Sequence, residues 1–125
     1  MFSHIVIGTN DLQKSKDFYK AIFAVIGAEE VPTLLDEGFG YAKDGQLFLV
    51  TRPIDGKAAT SANGGTIGLT MESPEMVKAW HEAGVQNGGK TIEDPPGVRE
   101  KKGVKLFLAY LRDPDGNKLC GLFKF

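Results

Sequence analysis

The spacing of apolar residues changes twice along the chain, and each change occurs in two copies. Phe2 to Gly8 is a short apolar stretch carrying the polar side chain of His4; at a two-residue period Ile5 and Ile7 share one face and His4 and Val6 the other. That period, with its β-branched residues, predicts a strand. Beyond Thr9 the period lengthens. Leu12, Tyr19, Phe23 and Ile26 recur at helical spacing, with Lys14, Lys16, Asp17 and Lys20 mostly off the stripe. Asn10 or Asp11 can cap this helix by accepting a hydrogen bond from a free backbone N–H, and Gly27 can stop it. After Pro32 come two extended runs, Phe39–Ala42 and Gln46–Thr51, joined by Lys43-Asp44-Gly45. An Asp-Gly pair between apolar runs predicts a hairpin.

Residues Pro53 to Gly65 follow neither period and read as a linker. A strand is then expected over Thr66–Met71. Ser73-Pro74-Glu75 opens a helix with a cap, a proline at the first helical position and an acid at the positive end. Its buried stripe is Val77, Trp80, Ala83 and Gly84, and Gly88-Gly89 ends it. Lys90–Glu93 reads as a strand and Asp94–Gly103, with two prolines, as a polar loop. Val104–Arg112 and Lys118–Phe125 read as strands across the turn Asp113–Asn117. Alternation is weak in Lys105–Leu111, which predicts a strand covered on both faces.

The two halves align without a gap. Thr66-Ile67-Gly68-Leu69-Thr70-Met71-Glu72-Ser73 stands against His4-Ile5-Val6-Ile7-Gly8-Thr9-Asn10-Asp11, and Trp80 takes the place of Phe18. The chain is therefore expected to hold one module over about 1–53, a linker over about 54–64 and a second module over about 65–125.

Composition narrows the function classes. The net charge is −1, and no basic run is longer than Lys101-Lys102, so a nucleic-acid face is not expected. No apolar run reaches the roughly 20 residues that span a bilayer, and the first residues lack the pattern of a secretory signal. The single cysteine, Cys120, has no partner for an internal disulfide. The expectation is a cytoplasmic protein with neither nucleic acid nor membrane as partner.

The duplicated unit, with HIVIGTNDLQKSKDFY at the front and RDPDGNKLCGLF at the back, resembles the vicinal oxygen chelate superfamily of glyoxalases, bleomycin-resistance proteins and extradiol dioxygenases. The resemblance covers essentially the whole chain. It implies an α+β fold of two βαβββ modules whose mixed sheets curl into an open cup with helices outside. It also implies a small organic ligand in the cup, frequent homodimerisation and, in catalytic members, a divalent metal at the floor. Of the metal-ligand positions the resemblance implies, His4 keeps a ligand-type side chain. Thr66 stands where His or Gln is usual, Cys120 where Glu is usual, and the last strand of the first module offers Phe48 or Leu49. A hard divalent ion needs several oxygen or imidazole ligands, so no resident cofactor is expected. The reading is a metal-poor binding protein. The alternative is a glyoxalase-like lyase or isomerase, or a dioxygenase-like enzyme, with a nonstandard divalent metal site.

The candidate ligand-binding residues are His4, Phe48, Thr66, Tyr110 and Cys120, with His4 the candidate catalytic base because imidazole titrates near neutrality. Each has a plainer role. His4 can be hydrogen-bonded without chemistry, and Cys120 can be a small buried apolar residue. Trp80 is expected in the core and His81 at a surface or edge. Arg52 and Arg99 lie near loop edges and are expected to be solvated, with anchoring of an anionic group by one of them as the alternative. Asp113 and Asp115 are expected to satisfy the local backbone of their turn.

Overall fold

The computed structural model describes residues 1–125. The chain runs β1 (His4–Gly8), α1 (Leu12–Ile26), β2 (Glu29–Val31), β3 (Gly38–Lys43), β4 (Gln46–Thr51), β5 (Ile67–Thr70), α2 (Pro74–Gln86), β6 (Lys90–Lys101), β7 (Val104–Arg112) and β8 (Lys118–Lys124). The strands make two four-stranded mixed sheets, ordered β1-β4-β3-β2 and β5-β8-β7-β6. In each, the first strand pairs in parallel with the last and the others are antiparallel. These are two βαβββ modules, and neither sheet closes into a barrel.

Both helices begin as their sequences require. The Asp11 side chain accepts from Lys14 N and the Ser73 side chain from Met76 N. Gly27 ends α1 at φ +74°, a left-handed conformation that costs glycine little. Asp44 and Gly45 both have positive φ between β3 and β4, as a two-residue turn matching the twist of a hairpin demands.

Two strands depart from the expectation. Glu29–Val31 is β2, a three-residue strand against β3 whose brevity leaves no period to read. The stretch expected as a polar loop, Asp94–Gly103, is mostly β6, which reaches Lys101 and turns at Lys102-Gly103. The prolines are absorbed by a bulge between Ile92 and Gly97, where register with β7 shifts and Glu93 adopts φ +58°.

One core joins the modules. Tyr19 and Phe23 of α1 pack on Phe39, Tyr41 and Phe48 of their own sheet. A second stripe on the same helix, Ser15, Phe18 and Ile22, is equally buried and was not evident from spacing alone. Phe18 and Ile22 reach the second module, where they crowd Gly84 of α2 alongside Leu111 of β7. A β-carbon at Gly84 would collide with Leu111 and press on Phe18 and Ile22 at 3.2 and 3.3 Å, so glycine eases the close approach of α1, α2 and β7. Likewise a β-carbon at Gly121 would sit 2.8 Å from the ring of the fully buried Trp80.

Candidate functional site

Each sheet turns one face to the helices and leaves the other open. β1 and β5 are edge strands of their own sheets and do not pair with each other. Between them lies a cavity of about 480 Å³. Its apolar wall includes Ile5, Phe23, Phe48, Ile67 and Leu69, while His4, Thr66 and Thr70 on the strands and Lys43, Asp44 and Gln46 at the β3–β4 hairpin supply polar groups. The size and the mostly apolar lining with a few polar points suit a small organic ligand.

Three of the five candidate residues, His4, Phe48 and Thr66, line this cavity together. The duplication brings His4 and Thr66 there, because equivalent strands form its two sides. His4 is exposed, and its Nδ1 lies 2.8 Å from Ser3 Oγ. Phe48 comes from the core side, stacked near Tyr19 and Phe23 with ring centroids 5.2 Å from each.

Tyr110 and Cys120 are not in the cavity lining. They are cross-strand partners on the open face of the second sheet, in one row with Gly68 and Ile92. Lys118 Nζ lies 5.0 Å from the centre of the Tyr110 ring and pairs with Glu93. Burial pushes the Cys120 thiol and the Tyr110 phenol above their ordinary pKa values, so both stay protonated at neutral pH. Cys120 is 6% exposed, the small buried residue that its plain reading describes.

The remaining candidates have structural partners. Trp80 is in the core. His81 Nε2 lies 2.8 Å from Thr91 Oγ1, and partial burial lowers its pKa. Arg52 donates to Asn10 O and pairs with Glu37. Arg99 donates to the carbonyls of Asp94 and Pro95 and so holds the β6 bulge.

Asp113 does more than its turn requires. Its Oδ1 accepts from Asp115 N and Asn117 N, the local role expected. Its Oδ2 accepts from Asn117 Nδ2 at 2.8 Å and from the Tyr19 hydroxyl at 2.6 Å, across the module boundary. Asn117 Nδ2 also donates to Gly8 O at the end of β1, and Asp115 accepts from Asn10 N. The β7–β8 turn is thus a buckle binding the second module to β1 and α1 of the first. Burial raises the Asp113 pKa although four hydrogen bonds favour its charge, and burial with the adjacent carboxylate lifts Tyr19 well above the phenol range. A hydroxyl on a buried helical stripe signals that a partner exists. Nothing in spacing says that the partner is Asp113.

The cavity lining does not fit a divalent metal. Its ligand-type side chains are the His4 imidazole and the Asp44 carboxylate, and no group of three or more His, Cys, Asp or Glu comes together anywhere in the chain. Cys120, protonated and in the next-door row, does not complete a set.

The family model for the Glyoxalase/Bleomycin resistance protein/Dioxygenase superfamily matches residues 1–120. The chain is similar to a glyoxalase/bleomycin resistance protein from Albidiferax ferrireducens T118 solved by crystallography, at 47% identity and TM-score 0.91, covering 98% of both chains. More distant likenesses, of fold alone, include a glyoxalase-related enzyme from Fulvimarina pelagi (22% identity, TM-score 0.74, 99% and 88% coverage). Another is a lactoylglutathione lyase from Agrobacterium tumefaciens (18% identity, TM-score 0.64, 98% and 92% coverage). No curated protein matches the chain.

Proposed function

The chain belongs to the glyoxalase/bleomycin resistance protein/dioxygenase superfamily, and from that premise we propose that it binds a small organic molecule in the cavity between β1 and β5, without the full metal site of catalytic members. The observation that carries this reading is the lining itself. An apolar wall meets one exposed imidazole, two threonines and, from the β3–β4 hairpin, Lys43, Asp44 and Gln46 in a space of about 480 Å³, with Asp44 the one carboxylate of the lining. His4 then serves as the orienting polar contact to the ligand.

The open faces also support a second copy as partner. The accessible surface is 7597 Å², whereas a compact monomer of 13.5 kDa exposes about 6,500 Å². The excess is of the order that one partner buries in a standard interface, about 800 Å². Val6 and Leu47 lie exposed on the helix-free face of the first sheet, where such a partner would cover them. The lone buried thiol suits a reducing cytoplasm, and no helix is long and apolar enough to cross a membrane.

Titration with the amphiphilic anionic dye 1-anilinonaphthalene-8-sulfonate, followed by calorimetry, tests the binding reading. One saturable site per chain, weakened in His4→Ala, is expected. Absence of saturable binding, or the same affinity in both proteins, overturns it. Elemental analysis of the purified protein bears on the metal: about one equivalent of Zn, Ni, Mn or Fe per chain would favour the enzyme instead.

A further inference from the structure

The two strands flanking the cavity each leave one edge unpaired, and the pattern of their ladders states which groups are free. In a parallel ladder, alternate residues of an edge strand turn both their N–H and C=O to the neighbour, and the intervening residues turn both away. Ser3 O accepts from Leu47 N and Thr9 N donates to Thr51 O, so Ser3, Ile5, Ile7 and Thr9 address β4. The main-chain groups of His4 and Val6 therefore point out of the first sheet. Met71 N donates to Leu122 O, so Ile67, Leu69 and Met71 address β8, and those of Gly68 and Thr70 point out of the second. His4, Val6, Gly68 and Thr70 are all exposed. At the far end of β1 the edge is already taken, where Asn117 Nδ2 donates to Gly8 O.

Free main-chain groups on two strand edges around one cavity recognise amides in an extended chain. We propose that the ligand of this cavity is a short extended peptide or a similarly amide-bearing molecule, bound by strand addition, which rests on the reading that the cavity binds small molecules at all. An extended chain presents its main-chain groups to opposite sides at successive residues. Alternate residues would pair with His4 in the cavity lining and with Val6, the next outward-facing residue of β1 beyond that lining, and the intervening ones with Gly68 and Thr70. Its side chains would rest on Ile5, Ile67 and Leu69. A space of about 480 Å³ holds roughly three to four residues, and main-chain pairing with pockets for alternate side chains is how exposed edges bind peptides. The edges are neutral, so affinity should depend little on salt.

A panel of acetylated, amidated tripeptides with Val, Leu and Thr side chains provides the probes, and amide chemical shifts of the isotope-labelled protein provide the readout. The expected result is saturable binding with the largest shifts at His4, Val6, Gly68 and Thr70. N-methylation of the central peptide amide should weaken binding about tenfold, the value of one hydrogen bond. On the protein side, Gly68→Pro removes an outward N–H without touching the β8 ladder, and a β-carbon at Gly68 meets nothing within 4 Å. It should weaken the peptides about tenfold, whereas Gly68→Ala, which keeps that N–H, should bind them as the native protein does. If the dye binds and no peptide does, or if N-methylated peptides bind equally well, strand addition is wrong and the cavity reading survives. If neither dye nor peptide binds, the cavity reading fails and takes this one with it.

Discussion

Equivalent rows on the open faces of the two sheets have the same geometry and different chemistry. In the first sheet the row is Val6, Leu49, Gly40 and Val31. In the second it is Gly68, Cys120, Tyr110 and Ile92, with Lys118 over the tyrosine ring. The duplicated backbone has been kept, down to parallel pairing of first and last strands, while the side chains have diverged. The first module invests in aromatic packing, with Tyr19, Phe23, Phe39, Tyr41 and Phe48 in mutual contact. The second builds its core around Trp80, laid against Gly121, with Phe107 as its other buried ring. Fold and function are therefore separable here. Strand pairing and helix burial hold the architecture, and the edge and open-face residues are free to change what it binds.

The sharpest way to probe this asymmetry is to empty each core in turn. Trp80→Ala should cost about 3–5 kcal/mol, measured by urea denaturation, because one side chain fills the gap under β8. Phe23→Ala should fall at the lower end of that range, since three aromatic neighbours, Tyr19, Tyr41 and Phe48, can close partly around the void. Equal losses would mean that the two cores are packed alike.

Cutting the buckle should have a smaller effect. Tyr19→Phe removes a donor from a buried carboxylate and should cost about 1.5–3 kcal/mol. The buckle also has a pH signature. Burial raises the Asp113 pKa in the folded state, so the folded protein holds that proton more tightly than the unfolded chain. The resulting stability is fully present below the ordinary carboxylate pKa and is lost as pH rises through the folded value. The stability difference between the native protein and Asp113→Asn should therefore be largest in acid and shrink with rising pH. A difference that grows with pH would contradict the assigned direction.

Smaller still is the effect expected at the second sheet's row. Cys120→Ala should cost about 1 kcal/mol and leave dye affinity unaltered, because Cys120 lies outside the cavity lining. A protonated, 6% exposed thiol should also react far more slowly with a disulfide reagent in the native protein than in urea. Rapid native reaction would reassign this row as a reactive site.

Much of the architecture was legible from periodicity because its helices and long strands are amphipathic. Asp11, Gly27, Ser73 and the Asp44-Gly45 turn all act as their chemistry suggests. β2 escaped because three residues carry no pattern, and β6 because Pro95 and Pro96 mimic a loop where the strand merely bulges. The duplication placed His4 and Thr66 at one cavity. It could not reveal that the rest of the lining comes from the end of α1 and the β3–β4 hairpin rather than from β7 and β8, which is why Tyr110 and Cys120 fall outside it. The buckle was invisible for a related reason: Tyr19 and Asp113 are far apart in the chain, and only tertiary structure joins them.

The central claim is that the space between β1 and β5 is a binding cavity, and filling it tests this most directly. Gly68 lines it with open space where a side chain would go. Calorimetric titration of the anilinonaphthalene dye into the native protein and Gly68→Phe should show one site in the first and a loss of about tenfold or more in the second, at unchanged thermal stability. Equal affinity in the two proteins would place the binding elsewhere and contradict the account.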